Sequence, residues 1–152
     1  MKLVSKITVE SPKEGALRVA FATTDGEHVN DHFGWAKTFV LYDVTRETIS
    51  KAGKIAFSGE GLSEKGNDDK LTGKIEALAG CHIIYSEAIG GTAAARLTNR
   101  KIQPMVAKDD KSITSICSKL RETLNGAAPP WLRKITKTED PGRFDRFDED
   151  ED

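Results

Sequence analysis

Apolar and polar positions change period several times along the chain, and each change predicts an element. Residues 16–24, Ala16-Leu17-Arg18-Val19-Ala20-Phe21-Ala22-Thr23-Thr24, are mostly apolar and end at Asp25-Gly26, which predicts a buried strand. Residues 37–44 predict a second strand, and Thr45-Arg46-Glu47-Thr48 a tight connection to a third at about 49–57. These three form an antiparallel meander, and a loop with Gly59, Gly61, Gly66 and Asn67 follows. The period then becomes helical over 68–79, where Leu71, Ile75, Leu78 and Ala79 recur on one face. Asn67 suits its N-cap, Asp68 and Asp69 its first turn, and Gly80 its end. His82-Ile83-Ile84-Tyr85 reads as a short strand, and Gly90-Gly91 opens a helix of small residues from Thr92 to about Asn99. A fifth strand runs from Ile102 to Val106, and Pro104 assigns it to a sheet edge. Residues 112–125 form a third helix, with Ile113, Ile116, Cys117, Leu120 and Leu124 along one face. Asn125-Gly126 and Pro129-Pro130 stop it.

The predicted order is β-β-β-α-β-α-β-α, which implies an α/β domain with a mixed five-stranded sheet flanked by helices and right-handed crossovers between the later strands. Residues 1–15 are expected to be a flexible leader with a short extended piece at Ile7-Thr8-Val9, residues 16–135 the folded unit, and residues 136–152 a disordered tail ending in Asp148-Glu149-Asp150-Glu151-Asp152. A length of 152 residues fits one domain. A net charge of −1 supplies no global positive field for nucleic acid. No apolar run approaches the ~20 residues that span a bilayer. Met1 to Lys6 contains no secretory apolar region, so a cytoplasmic location is expected. Cys81 and Cys117 are too widely spaced for a disulfide framework or a zinc site.

Candidate chemistry gathers after the first predicted strand, in Val29-Asn30-Asp31-His32-Phe33-Gly34. Ligands of open α/β sheets favour the carboxyl ends of strands. If the first and fourth predicted strands run parallel, the His32 loop and the Gly90-Gly91-Thr92 turn share that rim. A helix N-terminus attracts anions, and glycines permit close backbone approach. An imidazole beside such a turn suits an anionic metallocluster better than a bare cation. His32 is then a neutral ligand to iron or another soft-to-borderline metal; the alternative is a histidine that bonds its own loop. His28 is auxiliary to it or faces solvent. Arg96 either clamps a carboxylate or belongs to a solvated face, as do Lys37, Arg100 and Lys101. Phe33 and Trp35 wall a cavity or complete the core beneath the loop. Cys81 and Cys117 read as core residues, and adjacent Cys81 and His82 point to opposite faces. No nucleophile elbow or phosphate-binding loop is present. Asp25, Asp31 and Asp43 offer a carboxylate metal site for a hydrolase; strand termination is the competing role of Asp25 and Asp43.

The Val29–Gly34 segment with the strand before it, the stretch from Gly80-Cys81 through Gly90-Gly91, and Pro130-Trp131-Leu132 together resemble the NifX-like nitrogenase cofactor carriers over roughly residues 16–135. That group includes VnfX, the NafY core domain and the C-terminal extension of NifB. The resemblance implies a ribonuclease H-like domain without nuclease activity. It implies a non-enzymatic carrier that binds iron–molybdenum cofactor, iron–vanadium cofactor or their iron–sulfur precursor (the NifB-cofactor type) during assembly and delivery. The family's cluster-binding histidine falls on His32. Many members have Asp-Gln before it, where this chain has Asn30-Asp31, and some carry a cysteine where Ser86 stands. Expected partners are cofactor assembly proteins and apo-dinitrogenase, with neither nucleic acid nor membrane involved and a homodimer open. The alternative is an interaction chaperone that engages apo-dinitrogenase, with cluster binding secondary and the tail bearing Phe144 and Phe147 as a contact.

Overall fold

Alternation along one buried strand sets the layers of this molecule. A computed structural model describes residues 4–11, 15–58, 68–126 and 128–136. Among these, the elements are β1 (Val4–Val9), β2 (Leu17–Ala22), β3 (Thr38–Val44), β4 (Ile49–Ser58), α1 (Asp68–Ala77), β5 (Ile83–Ser86), α2 (Gly91–Asn99), β6 (Gln103–Val106), α3 (Ile113–Asn125) and α4 (Pro130–Thr136). Every residue of β2 is buried. Ala20 and Ala22 face a cluster built with Ile75 and Leu78 of the α1 region and Ala93 and Leu97 of α2. Leu17, Val19 and Phe21 face the opposite cluster, with Ile113, Ile116, Cys117, Leu120 and Leu124 of α3 and Leu132 of α4. The result is a sheet with helices on both faces. Each large apolar side chain buried this way contributes roughly 1.5–3 kcal/mol.

The sheet has six strands in the order β1-β4-β3-β2-β5-β6, one more than the five expected. The addition is β1, which pairs antiparallel with β4 from Val4↔Ser58 to Val9↔Gly53. The expected leader 1–15 therefore contributes a strand, and the sheet reaches outside the unit expected at 16–135. The short extended piece expected at Ile7-Thr8-Val9 is the second half of this strand, and its membership of the sheet is decided by pairing with β4 rather than by local pattern. The second addition is α4. The stop expected at Asn125-Gly126 and Pro129-Pro130 does end α3, but a further helix then begins at Pro130, because proline suits the first turn of a helix, where its missing N–H is not needed. The acidic tail from residue 137 onward lies outside the described residues. No described helix is long and apolar enough to cross a membrane.

The β2–β3 and β3–β4 pairs are antiparallel, and β2–β5 and β5–β6 are parallel. The parallel pairing of β2 with β5 is the condition on which the shared rim depends. At the opposite end of β2, Arg18 and Asp43 are direct cross-strand partners. Their side chains are buried and bidentate, Nε to Oδ1 at 2.8 Å and Nη2 to Oδ2 at 2.9 Å. His82 joins them: its Nδ1 accepts the Arg18 backbone N–H at 2.9 Å, while its own N–H donates to the Arg18 carbonyl at 2.7 Å. An accepting Nδ1 requires a neutral ring, and burial, reinforced by the nearby Arg18 cation, lowers the His82 pKa.

Two tests address this architecture. His82 resists protonation when folded but takes up a proton when unfolded, so its contribution is complete above the ordinary imidazole value of about 6.5 and fades as pH falls below it. Denaturant titrations are expected to show stability declining with acid in that window, more steeply than in a His82→Gln variant. Gly53 has φ +150°, and a Cβ there would stand 2.1 Å from the Thr8 carbonyl oxygen, beside the bulge at Leu41/Tyr42. Gly53→Ala is expected to lower stability by about 2 kcal/mol or more. Amide exchange should quicken first at Glu10, whose N–H bonds the Ala52 carbonyl.

Candidate functional site

Because β2, β5 and β6 run parallel, their carboxyl ends open onto one rim, and three loops meet there. The first, after β2, is shaped by its own polar side chains. Asp25 Oδ1 accepts the N–H groups of Glu27 and His28, at 2.8 and 2.9 Å, and Oδ2 lies 3.1 Å from His28 Nδ1. The Glu27 N–H, then the His28 N–H and the His28 ring, hold the Asp25 carboxyl well below the ordinary range. Gly26, at φ +78°, makes the bend. Asn30 Oδ1 then takes the Thr24 N–H at 2.9 Å.

The loop next forms a single turn at His32. The His32 carbonyl accepts from Trp35 N–H at 3.2 Å and Ala36 N–H at 2.9 Å. His32 forms a parallel bridge with Ala88, in the loop after β5. Two bonds fix that junction: Glu87 N–H to the Asp31 carbonyl and Phe33 N–H to the Ala88 carbonyl, both 2.8 Å. The backbone of His32 is thereby bridged to a residue two positions before Gly90, and the residue is exposed, while Phe33 beside it is fully buried. Phe33 packs edge-on against Phe39, so it completes the core beneath the loop; Trp35 is half exposed.

Gly90 caps α2 without a side chain, and the first intrahelical bond runs from Ala94 N–H to the Gly90 carbonyl. The N–H groups of Gly91, Thr92 and Ala93 thus form the positive end of α2, on the same rim, with no acidic residue in that turn. By contrast, α3 begins at the same rim with its N-terminus capped by Ser112 Oγ, which accepts the Ser115 N–H at 3.2 Å. An added Cβ would meet nothing within 4 Å at Gly34, Gly90 or Gly91. Internal packing therefore does not impose glycine there, and the space over these backbones is open.

The third loop, after β6, laces the other two together. Lys111 Nζ bonds Glu87 Oε2 at 2.7 Å, and the Lys111 carbonyl accepts the Val29 N–H at 2.8 Å. Glu87 is lowered in pKa by this lysine. Asp110 is lowered to about 2 by the Ser115 hydroxyl, then Lys119 and the Ser112 N–H, so it is fully engaged in the α3 cap. Beneath the His32 turn, Lys74 of α1 is 2% exposed and donates to the carbonyls of Phe33, Gly34 and Ala36 at 3.0, 3.1 and 3.0 Å. Burial lowers its pKa to about 8, which leaves it an ammonium at neutral pH.

The structure brings His32, Gly90, Gly91 and Thr92 to one rim, with His28 on the flank, held by Asp25 and bridged to Ser112. Arg96 is engaged elsewhere: its Nη1 donates to Thr72 Oγ1 at 3.1 Å across the α1–α2 seam. Cys81 and Cys117 are buried and their thiols are pushed up to about 12, so neither supplies a thiolate at neutral pH. The carboxylates of the hydrolase reading do not converge. Asp43 is bound to Arg18 at the far end of β2, Asp25 serves its own loop, and Asp31 Oδ1 takes the His32 N–H. Among the described residues no three of His, Cys, Asp and Glu are grouped to hold a metal ion, so the rim offers an imidazole rather than a closed cage. Lys111 and Lys74 are two residues of this site that the sequence-based expectations do not single out. Nothing in the pattern marked Lys111, but Lys74 interrupts the apolar stripe of Leu71, Ile75 and Leu78, and a cation in such a stripe is a readable signal.

The family model described as dinitrogenase iron-molybdenum cofactor matches residues 15–123. NifX of Herbaspirillum seropedicae is 43% identical over 122 residues, covering 80% of this chain and 83% of that protein. The FeMo cofactor biosynthesis protein NifB of Sinorhizobium fredii (strain NBRC 101917 / NGR234) is 33% identical over 115 residues, which are 76% of this chain but 23% of NifB. The crystal structure of PH0822 is similar in fold, with a TM-score of 0.52 at 18% identity over 70% of this chain and 91% of that one. The extent of the family match and the identity to NifX lead to one assignment: the chain belongs to the dinitrogenase iron-molybdenum cofactor family.

Proposed function

We propose that this protein is a non-enzymatic carrier in nitrogenase cofactor biosynthesis, binding iron–molybdenum cofactor, iron–vanadium cofactor or their iron–sulfur precursor as cargo. The observation that carries the reading is His32: an exposed residue bridged to Ala88 and set beside the uncapped N-terminus of α2. In this reading the imidazole ligates a metal of the cluster, the N–H groups of Gly91 and Thr92 face its anionic surface, and Gly34, Gly90 and Gly91 leave room for its bulk. The local charge is not simply positive. Asp31 and Glu87 flank His32, so neutralisation of Glu87 by Lys111 and the cation of Lys74 behind the turn matter to an anionic cargo. A single protein ligand also suits a carrier, which must surrender what it holds. The family match and the NifX and NifB relatives support a place in this biosynthesis. The ribonuclease H-like character implied by the resemblance, a cytoplasmic location, and assembly proteins and apo-dinitrogenase as partners belong to the same reading.

A docking role toward apo-dinitrogenase is favoured by one further observation. Trp35, half exposed, stands three residues from His32 on the same turn, where an acceptor protein would meet it.

Anaerobic binding of isolated iron–molybdenum cofactor tests the carrier reading. His32→Ala is expected to weaken retention at least about tenfold, some 1.4 kcal/mol or more, while Cys117→Ala leaves it unchanged apart from stability. A ligating imidazole must be neutral, so retention by the wild-type protein should fall on acidification. Retention that ignores both the substitution and the pH overturns imidazole ligation. For the docking role, Trp35→Ser is expected to reduce capture of apo-dinitrogenase without loss of cluster retention, as read by co-purification.

A further inference from the structure

We propose that Lys74 is the positioning residue of the His32 turn, fixing its carbonyl end so that the imidazole is held on the rim. An ammonium has three N–H donors, and here each has one acceptor: the carbonyls of Phe33, Gly34 and Ala36, at 3.0, 3.1 and 3.0 Å. Phe33 and Ala36 are fully buried, so without the lysine their carbonyls lack water as a substitute. Three carbonyl dipoles converging on one point also repel one another unless a cation stands between them.

Packing alone does not explain a lysine at this place. The side chain lies among the rings of Phe33, Phe39 and Phe57, whose centroids are 5.6, 5.9 and 5.5 Å from Nζ. Methionine fills such a space without the desolvation penalty of a charge. What methionine lacks is the three-pronged grip on the turn. The front of the turn is held by Phe33 N–H on the Ala88 carbonyl, and its interior by Trp35 and Ala36 N–H on the His32 carbonyl. Lys74 supplies the third side. It ties α1 to the His32 loop across about forty residues of sequence, so a movement of α1 is transmitted directly to the turn that presents the imidazole.

The functional half of this inference rests on the carrier reading; the structural half does not, and the experiment separates them. Amide exchange is measured in the wild type, Lys74→Met and Lys74→Gln. Protection at Trp35 and Ala36 is expected to fall at least about tenfold further than at Val40 and Ile84 of the core strands, with Gln intermediate because it keeps two donors. Loss only in step with the core strands overturns the proposal. Should both variants fail to fold, the wild-type protein decides: Lys74 ammonium protons slow to exchange with water support it, and fast-exchanging ones overturn it. Retention of iron–molybdenum cofactor is then compared in Lys74→Met and His32→Ala. A loosened turn with retention lost at least about tenfold in both supports the full proposal. Retention lost in His32→Ala alone overturns the positioning role. Retention unchanged in His32→Ala overturns the carrier reading, while the exchange data still judge Lys74.

Discussion

The parallel pairing of β2 with β5, Val19 with Ile83, Ala20 with Ile84 and Phe21 with Tyr85, is the constraint on which everything else rests. Two strands can be neighbours in either sense, but only the parallel one sends both exits to the same end. It delivers the His32 loop and the approach to α2 side by side, after which short backbone bonds can join them. An antiparallel β5 would put Gly90 and Gly91 at the Arg18 end of β2, among groups whose task is to satisfy a buried ion pair. The pairing is itself anchored at that end, where Arg18 and His82 exchange hydrogen bonds and Asp43 completes the network.

The two ends of β2 thus carry different kinds of polar chemistry. At the Arg18 end, a buried ion pair and a partly buried imidazole, bonded through its Nδ1, serve registry. At the rim, His32 is exposed and its backbone, not its ring, is what the fold grips. The loops around it are tied by main-chain bonds and by Lys111 and Lys74, so the ring projects from a braced frame. This division explains why three histidines in one small domain have three roles: His82 is structural, His28 serves a loop with Asp25, and His32 is left available.

Much of this was legible before any coordinates. The helical stripes of α1 and α3 follow from periodicity, whereas β2, buried throughout, follows from its mostly apolar run, β3 and β4 from their strand-forming runs, and α2 from the Gly90-Gly91 turn and small residues that open it. Pro104 assigned β6 to an edge correctly, and the shared rim followed once β2 and β5 were assumed parallel. What escaped was decided by tertiary partners rather than by local pattern. The sequence shows β1 only as a short extended piece at Ile7-Thr8-Val9, and its pairing is set by β4, a distant partner that the local pattern does not name. α4 begins at a proline that also reads as a terminator. Arg96 was placed on the correct helix, but its direction depends on Thr72 of α1, twenty-four residues earlier. Lys111 and Glu87 meet across loops whose approach no short-range spacing encodes.

Pro104 has an effect beyond its place in the strand order. Gln103 and Ala107 direct their N–H groups inward, to the carbonyls of His82 and Ser86, and the Ile102 N–H is taken by the Leu97 carbonyl. Alternation turns the Pro104 nitrogen outward, and it carries no hydrogen. A foreign β-segment approaching this margin would find a missing donor at the centre of a four-residue strand, so edge-to-edge growth into fibrils or swapped assemblies is obstructed there by covalent structure rather than by charge.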